Sequence, residues 1–262
     1  MIKFSCHSAN YSEMSLSEAS GTVARMGFSY VDLSTEPHFP VADMSNRKKI
    51  AEIRDLLSLY HLKVADLYLT LPDLMTDARK AIDTFKEILP FVKLIEAQGI
   101  TLHLEASDDE SVIEPLGNSL QTLVNHARQA DLAFSIEARA DTLIDTPSQI
   151  RSMLSRIGGL QLTLDWSHMI YRTVAEAEII ELLSRTRHVH LRQAKTYSLQ
   201  TPYDEGDIMP AKVLSTLQNA NYDGFISMRV LPYSERHHIA DVDPIRENIL
   251  MRDALRDARE VV

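Results

Sequence analysis

Apolar and polar positions alternate along the whole chain with two different periods. An apolar residue at every second position is typical of a strand with one buried face, and spacings of three and four are typical of an amphipathic helix. The pattern predicts strands at 2–9, 28–34, 62–71, 100–107, 132–140, 160–165, 188–194 and 224–230. It predicts helices at 15–27, 41–60, 75–98, 109–131, from 146 onward, 174–184, 208–219 and from 243 onward.

Local signals mark the ends of several helices. Ser15 and Glu18 fit a capping box at the start of the first helix. The segment TPSQ at 146–149 combines an N-cap, a proline at the first helical position and a capping-box glutamine. Pro90 predicts a kink in the long third helix, and Gly99 predicts its end.

Eight strand–helix units follow one another without a low-complexity linker or a change of composition. Alternating strands and helices are typical of α/β proteins with a parallel sheet. A count of eight favours a single (β/α)8 TIM barrel domain spanning 1–262. A doubly wound open sheet is the alternative.

In a barrel, one face of each strand meets the helices and the other faces the lumen. Polar residues share one face in every predicted strand, and a lumen lined only for packing would instead carry Val, Ile and Leu. The polar lining therefore predicts a functional site at the C-terminal ends of the strands. The residues expected to face the lumen are His7, Asp32, Ser34, Asp66, Tyr68, Thr101, His103, Glu105, Ser135, Glu137, Arg139, Thr163, Asp165, His188, His190, Arg192, Ser227 and Arg229.

Three of these residues suggest a metal site. Glu137, Asp165 and His190 end three successive strands, so two carboxylates and one imidazole are expected to converge. Such a set suits Mn²⁺, Mg²⁺, Co²⁺, Fe²⁺ or Zn²⁺, and three protein ligands leave the open position of a catalytic ion. A hydrogen-bonded network of buried side chains is the alternative.

Composition and net charge exclude or disfavour several classes of protein. The chain has 262 residues, of which 45% are hydrophobic and 24% charged, and a formal net charge of −10. That charge disfavours nucleic acid as a partner, and the dinucleotide and P-loop fingerprints do not occur. The single cysteine, Cys6, excludes a disulfide within the chain. No signal-peptide pattern or bilayer-length apolar segment is visible, so we expect a cytoplasmic protein with no membrane partner. Homo-oligomer formation is left open.

Short motifs at the strand ends resemble those of one family. SIEAR on strand five, LDWSH after strand six, HVHLR on strand seven and EGDI at 205–208 are similar to motifs of the xylose isomerase-like (AP endonuclease family 2) TIM barrels. The resemblance spans nearly the whole chain. That superfamily contains sugar isomerases, ketose 3-epimerases, dehydratases and zinc endonucleases. The resemblance implies that Glu137, Asp165 and His190 are metal ligands and that His168 reaches the substrate or the outer shell of the metal.

The sequence departs from the family pattern at two places. The family's fourth ligand is usually a glutamate ending strand eight, where FISMRV places Arg229. Strand seven of the family often shows His-x-Lys-Asp, where this chain has HLRQ at 190–193. Epimerases of the family use two glutamates on opposite faces of the substrate. Arg229 therefore favours single-base isomerisation over epimerisation.

Residues and resemblance together predict a metal-dependent isomerase of a sugar, sugar acid or sugar phosphate. Glu137 would shuttle a proton while the metal stabilises an enediolate. Arg229 would bind a substrate carboxylate or phosphate, or it would pair with Glu137 and leave a vestigial metal site. A dehydratase of a keto-polyol or keto-acid and a non-catalytic ligand-binding barrel are the alternatives. An endonuclease is disfavoured by the acidic charge. Further candidate substrate contacts are His7, His103, His168 and Arg192.

Overall fold

The computed structural model describes residues 1–107 and 109–260. Eight parallel strands close into one barrel in chain order, which confirms the predicted TIM barrel. The strands are β1 (Lys3–His7), β2 (Tyr30–Ser34), β3 (Lys63–Thr70), β4 (Gly99–His103), β5 (Ala133–Ala138), β6 (Gln161–Asp165), β7 (Thr186–Leu191) and β8 (Phe225–Met228).

Helices surround the barrel. They are α1 (Leu16–Arg25), α2 (Arg47–Leu59), α3 (Ala78–Leu94), α4 (Ile113–Gln129), α5 (Pro147–Arg156), α6 (Trp166–Tyr171), α7 (Glu176–Leu183), α8 (Pro210–Asn219) and α9 (Pro244–Glu260). Both predicted capping boxes are present, at Ser15 with Glu18 and at Thr146 with Gln149. None of the helices within the described ranges combines the length and apolar character that crossing a membrane requires.

Two predicted helices are shorter than their apolar patterns. α2 begins at Arg47 rather than at 41, because the Asn46 side chain accepts the backbone N–H groups of Lys48 and Lys49. Only a 3-10 turn occupies Val41–Asp43. The apolar pattern includes this turn, so it does not mark the helix start.

The third helix also ends early. α3 contains Pro90 and stops at Leu94, while Gly99 is the first residue of β4 and not the helix terminator that the sequence suggested. A Cβ atom at Gly99 would lie 2.3 Å from the Arg187 Nη1 atom. The glycine therefore serves the close approach of a guanidinium group from another strand.

The barrel separates an apolar layer from a polar lumen, as the alternation of residues predicted. The side chains directed at the helices are almost completely buried, each worth roughly 1.5–3 kcal/mol of burial. They include Leu102, Ile136, Leu164, Val189 and Ile226. The lumen contains polar side chains that are equally buried and that bond to one another.

A closed polar network fills the lumen near the N-terminal ends of the strands. Arg187 donates from Nη2 to Asp66 Oδ1 at 2.7 Å and also to the hydroxyls of Thr101 and Ser135, at 3.0 and 2.9 Å. The Thr163 hydroxyl lies 2.7 Å from both of those hydroxyls. The network combines a buried ion pair with several hydrogen bonds, and this is the arrangement that a buried charge requires.

Candidate active site

Glu137 stands near the end of β5 with both carboxylate oxygens occupied. Oε1 accepts a hydrogen bond from His190 Nδ1 at 2.7 Å and one from Arg229 Nη1, and Oε2 accepts one from the Tyr68 hydroxyl at 2.6 Å. Arg229 also donates from Nη2 to the Tyr68 oxygen at 2.9 Å. Burial opposes ionisation, but the Arg229 charge and the hydrogen bond from His190 hold the pKa of Glu137 well below its usual range. Glu137 is therefore an ionised carboxylate at neutral pH.

Asp165 joins the end of β6 to the start of α6. Its Oδ1 accepts the backbone N–H groups of Ser167 at 3.0 Å and His168 at 3.2 Å, and its Oδ2 accepts Arg192 Nη1 at 2.7 Å. Burial raises the pKa of Asp165, but the charge of Arg192 outweighs it and the net shift is downward. The acid that ends this strand is thus also the N-cap of a short helix, which explains its place in LDWSH.

His168 is held as a neutral imidazole. Its Nδ1 accepts the backbone N–H of Ala140 at 3.0 Å, and its Nε2 lies 3.5 Å from Asp165 Oδ2. Burial lowers the pKa of His168 to about 3. The ring proton therefore resides on Nε2, on the side that faces Asp165.

Two further guanidinium groups lie close to the mouth of the barrel. Arg192 donates from Nε to the Leu199 carbonyl at 3.1 Å, while its buried Nη2 has no partner among the described residues. Arg139 Nη1 lies 2.8 Å from His103 Nε2, and within the described chain no carboxylate pairs with it. The His103 side chain is 19% exposed and marks the opening toward solvent. Both arginines retain donors for an anionic or polyhydroxylated ligand.

The three predicted metal ligands do converge. One donor atom from each of Glu137, Asp165 and His190 lies within 4.8 Å of the other two. However, Arg229 and Arg192 already neutralise the two carboxylates. A divalent cation here would have to displace both guanidinium contacts, so this arrangement fits two arginines and not a metal ion. The assignment of these three residues as ligands stays a prediction.

His7 and Glu105 were both expected to face the lumen, and only His7 does so. His7 lies in the lumen as expected, with Nδ1 accepting the Ala9 N–H at 3.2 Å and its ring 4.8 Å from that of Tyr68. Glu105 was predicted to face the lumen, and this is wrong. β4 ends at His103, so Glu105 lies beyond the strand and is exposed.

The loop after β8 reaches across to the loop after β5. His237 Nε2 lies 2.5 Å from Asp141 Oδ2, and Arg236 Nη2 lies 2.7 Å from the same oxygen. The Tyr171 hydroxyl is 2.9 Å from His237 Nδ1. The basic segment at 236–238 therefore serves to tie two loops together, and Asp141 offsets its charge.

The segment EGDI is fixed by Gln193, one of the two residues that depart from the family's pattern after strand seven. The Gln193 amide donates to the Ile208 carbonyl at 2.8 Å and accepts the Ile208 N–H at 3.2 Å. A Cβ atom at Gly206 would lie 2.1 Å from Gln193 Oε1. Glycine is thus required for this close approach.

Sequence reasoning placed Tyr68 and Arg139 in the lumen but gave them no function. Their contacts with Glu137 and His103 depend on side-chain conformations that periodicity does not carry. Arg187 was missed altogether. β6 and β7 shift register between Leu162 and Thr163, which inserts one residue into β7 and breaks the strict alternation there.

Comparison with known proteins agrees with this architecture. Residues 21–253 match the model of the xylose isomerase-like TIM barrel family. The chain belongs to this family. No protein of curated function has a sequence that matches the chain.

Several solved structures share the fold of this xylose isomerase-like protein at low identity. D-allulose 3-epimerase from Methylomonas sp. is 14% identical with a TM-score of 0.75, and 98% of each chain is covered. A probable 3-DHS dehydratase from Bacillus anthracis is 15% identical with a TM-score of 0.74, covering 96% of this chain and 99% of the other. A family member from Mycobacterium smegmatis in complex with magnesium is 13% identical with a TM-score of 0.74, covering 92% and 88%. At these identities the likeness establishes the fold alone.

Proposed function

We propose that this xylose isomerase-like protein moves a proton next to the carbonyl group of a sugar, sugar acid or sugar phosphate, and that isomerisation is the outcome. The observation that carries the proposal is the ionised Glu137 held between Arg229 and Tyr68 at the C-terminal end of the lumen. Active sites of TIM barrels lie at this end. The sugar-modifying relatives support the same class of substrate.

Glu137 is the proposed proton shuttle. It takes a proton from the hydroxyl-bearing carbon beside the carbonyl and returns it to the former carbonyl carbon, while the proton of that hydroxyl passes to the former carbonyl oxygen. As Glu137 is neutralised by the proton, negative charge appears on the substrate oxygens as an enediolate. The Arg229 guanidinium then leaves Glu137 and pairs with the negatively charged substrate oxygen. Its positive charge therefore stabilises the transition state as the negative charge forms. His168, neutral and carrying its proton on Nε2, is the proposed hydrogen-bond donor to a substrate hydroxyl.

The remaining polar groups are proposed to bind the substrate. Arg139 and Arg192 have unused donors, and His103 is partly open to solvent. His7 lies at the opposite wall beside Tyr68. A carboxylate or phosphate on the substrate would find guanidinium donors here, which favours sugar acids and sugar phosphates over neutral sugars.

Family membership and the magnesium-bound relative favour a divalent cofactor, for which Mn²⁺, Mg²⁺, Co²⁺ and Zn²⁺ are the predicted ions. The guanidinium contacts of Glu137 and Asp165 oppose an ion on that set. The proposed proton transfer therefore relies on the charge of Arg229.

A substrate screen in D₂O tests the proposal. The purified protein is incubated with ketoses, aldoses, sugar acids and sugar phosphates, and NMR follows deuterium entry beside the carbonyl. We expect exchange with at least one acidic sugar, and loss of about 10²-fold or more with Glu137→Gln, because removal of a general base typically costs that much. Glu105→Gln, at an exposed position just past the end of β4, is the matched control. Exchange that persists in Glu137→Gln would rule out the assigned base.

A non-catalytic ligand-binding barrel is the second candidate. Glu137 has no exposed surface and is already paired, so substrate must first move Arg229 to reach it. If acidic sugars raise the melting temperature of the protein but take up no deuterium, the ligand-binding barrel replaces the isomerase as the proposed function. Release of water from a keto-acid in the same screen would instead identify a dehydratase.

A further inference from the structure

A second group of possible ligands lies on the far side of the His190 ring from Glu137. It consists of Asp32 on β2 with His188 and His190 on β7, and we call it the deep group. All three residues are 0% exposed, and one donor atom from each lies within 4.8 Å of the others. His188 Nε2 is 2.7 Å and His190 Nε2 is 3.7 Å from Asp32 Oδ2. No arginine pairs with Asp32 in the described part of the chain.

Unpartnered polar atoms are concentrated around the deep group. In residues 1–107 and 109–260, Asp32 Oδ1, His188 Nδ1 and His190 Nε2 are buried without a hydrogen-bond partner. His7 Nε2 and the hydroxyls of two serines that face each other on β1 and β8 share this condition, namely Ser5 and Ser227. A buried polar atom without a partner destabilises a fold, because it has lost its hydrogen bonds to water. Their concentration on four adjacent strands, β7, β8, β1 and β2, is typical of a binding site rather than of a packed core.

The hydrogen bond to Glu137 sets the orientation of the His190 ring. Glu137 Oε1 also accepts a hydrogen bond from Arg229 and lies 2.7 Å from Nδ1, so it is an acceptor there and Nδ1 carries the ring proton. In the neutral ring, Nε2 then directs a lone pair at Asp32. A carboxylate that accepts from the other nitrogen of a ligating imidazole is the usual outer contact of a metal-bound histidine. Glu137 therefore supports His190 as a ligand instead of being one.

The two imidazoles of the deep group lie at different distances from Asp32. His188 Nε2 is within hydrogen-bond range of Oδ2 at 2.7 Å, and a bound ion would replace that bond. The 3.7 Å between His190 Nε2 and Asp32 Oδ2 exceeds the N–H···O range of about 2.7–3.2 Å. Two ligand atoms bound at about 2.0–2.2 Å to one tetrahedral ion lie about 3.3–3.6 Å apart. The pair thus has close to the separation of two ligands that share an ion.

We propose that Asp32, His188 and His190 bind a divalent first-row transition-metal ion, deeper in the barrel than the Glu137–Asp165 set. Two imidazoles and one carboxylate suit Zn²⁺, Fe²⁺ or Co²⁺ better than Mg²⁺. His7 is not a ligand, because its Nδ1 already accepts the Ala9 N–H and its Nε2 must carry the proton. Three protein ligands leave one position open on the ion. The proposal is independent of the reaction proposed above.

Cobalt binding tests this site without relying on activity. The full chain is produced in Co²⁺-supplemented medium and purified without chelators or a metal-affinity column. The isosteric variant Asp32→Asn and the variant His188→Asn remove deep ligands, while Asp165→Asn removes a carboxylate of equal size and burial from the other set. We expect about one cobalt per chain in the parent and in Asp165→Asn. We expect a fall of at least about tenfold in the two deep variants, and Glu137→Gln to weaken binding about 10–100-fold through His190.

X-ray absorption of the cobalt-loaded parent gives a second readout that needs no variant. The deep group supplies two imidazoles, whereas the Glu137–Asp165 set supplies one. Two imidazoles around cobalt support the proposal even if the deep variants fail to fold. One imidazole, or cobalt lost in Asp165→Asn and kept in His188→Asn, overturns it. A parent that takes up no cobalt, also after refolding with excess Co²⁺, overturns it as well.

Discussion

The carboxylates of the barrel lumen have two kinds of surroundings. Glu137 and Asp165 near the mouth and Asp66 near the base each accept from a guanidinium group, while Asp32 faces only imidazoles. Arginine carries a permanent charge, but an imidazole is charged only when it binds a proton or an ion. Arginine side chains thus neutralise three of these four acids. Asp32 is neutralised only when a neighbouring imidazole binds a proton or a metal ion that comes from solvent.

The largest effect is expected at the buried arginine pair near the base of the barrel. Asp66→Ala leaves the Arg187 guanidinium, only 11% exposed, without its counter-charge. Loss of one partner of a buried ion pair typically costs about 3–5 kcal/mol. Urea denaturation should show that loss in free energy of unfolding. The exposed pair of Arg151 and Glu181 is the control, since Glu181→Ala is expected to change stability by less than about 1 kcal/mol. If Asp66→Ala and Glu181→Ala lower the free energy of unfolding by similar amounts, the expected difference between a buried and an exposed ion pair is wrong.

Arg229→Glu would remove one of the two arginines that pair with the carboxylates at the mouth and leave Arg192 with Asp165. It removes the guanidinium from Glu137 and supplies the strand-eight glutamate that the family usually carries. We expect the variant to be less stable without ions and to gain Mn²⁺ binding that the parent lacks at this place. At 100 times its Kd, the ion adds about 2.7 kcal/mol of stability. Calorimetric titration measures the gain, and adding Asp165→Asn should abolish it. Mn²⁺ binding unchanged by Asp165→Asn would show that Arg229 does not exclude the ion.

The neutral His168 predicts a particular loss of stability in acid. Its folded pKa of about 3 lies below the unfolded value near 6.5, so the unfolded state binds more protons between these values and stability falls as pH falls through that window. Between pH 7 and 5 this one residue contributes a loss of up to about 2 kcal/mol. Urea denaturation at both pH values should show a smaller loss in His168→Asn. The control is His61→Asn, on the surface. Equal losses in parent and His168→Asn would contradict a buried neutral ring.

Tyr68→Phe should have the smallest effect. It removes one donor to Glu137 but leaves His190 and Arg229 in place. A hydrogen bond to a charged group contributes about 1.5–3 kcal/mol, and the remaining donors should keep the loss near the lower end. Denaturation at pH 7 measures it. Tyr222→Phe, which removes a buried hydroxyl bonded to the Arg187 and Phe225 carbonyls, gives a comparison without a carboxylate acceptor. A smaller loss for Tyr68 than for Tyr222 would contradict the assigned contact with Glu137.

Much of this architecture was predictable because it follows from periodicity. Alternation placed Glu137, Asp165 and His190 on the lumen face of neighbouring strands, and the structure brings them together. Chain order alone gave eight parallel strands in one closed barrel. Such features depend on which face a residue occupies, and the sequence records that directly.

The unpredicted features depend on single local events. A register shift in β7 turned Arg187 inward, and a side-chain N-cap at Asn46 moved the start of α2. The sequence left open whether Arg229 pairs with Glu137 or binds a substrate anion, because composition does not determine which cation pairs with a given carboxylate. The direction in which each nitrogen of His190 points depends on contacts with both Glu137 and Asp32, which lie 105 positions apart in the chain.

The contact between Gly206 and Gln193 limits how this chain can evolve. Any side chain at 206 would collide with the glutamine amide, so the position can change only after residue 193 becomes smaller. A smaller residue at 193 would in turn release both backbone bonds to Ile208. Neither single replacement preserves the loop, so we expect the two positions to vary as a pair.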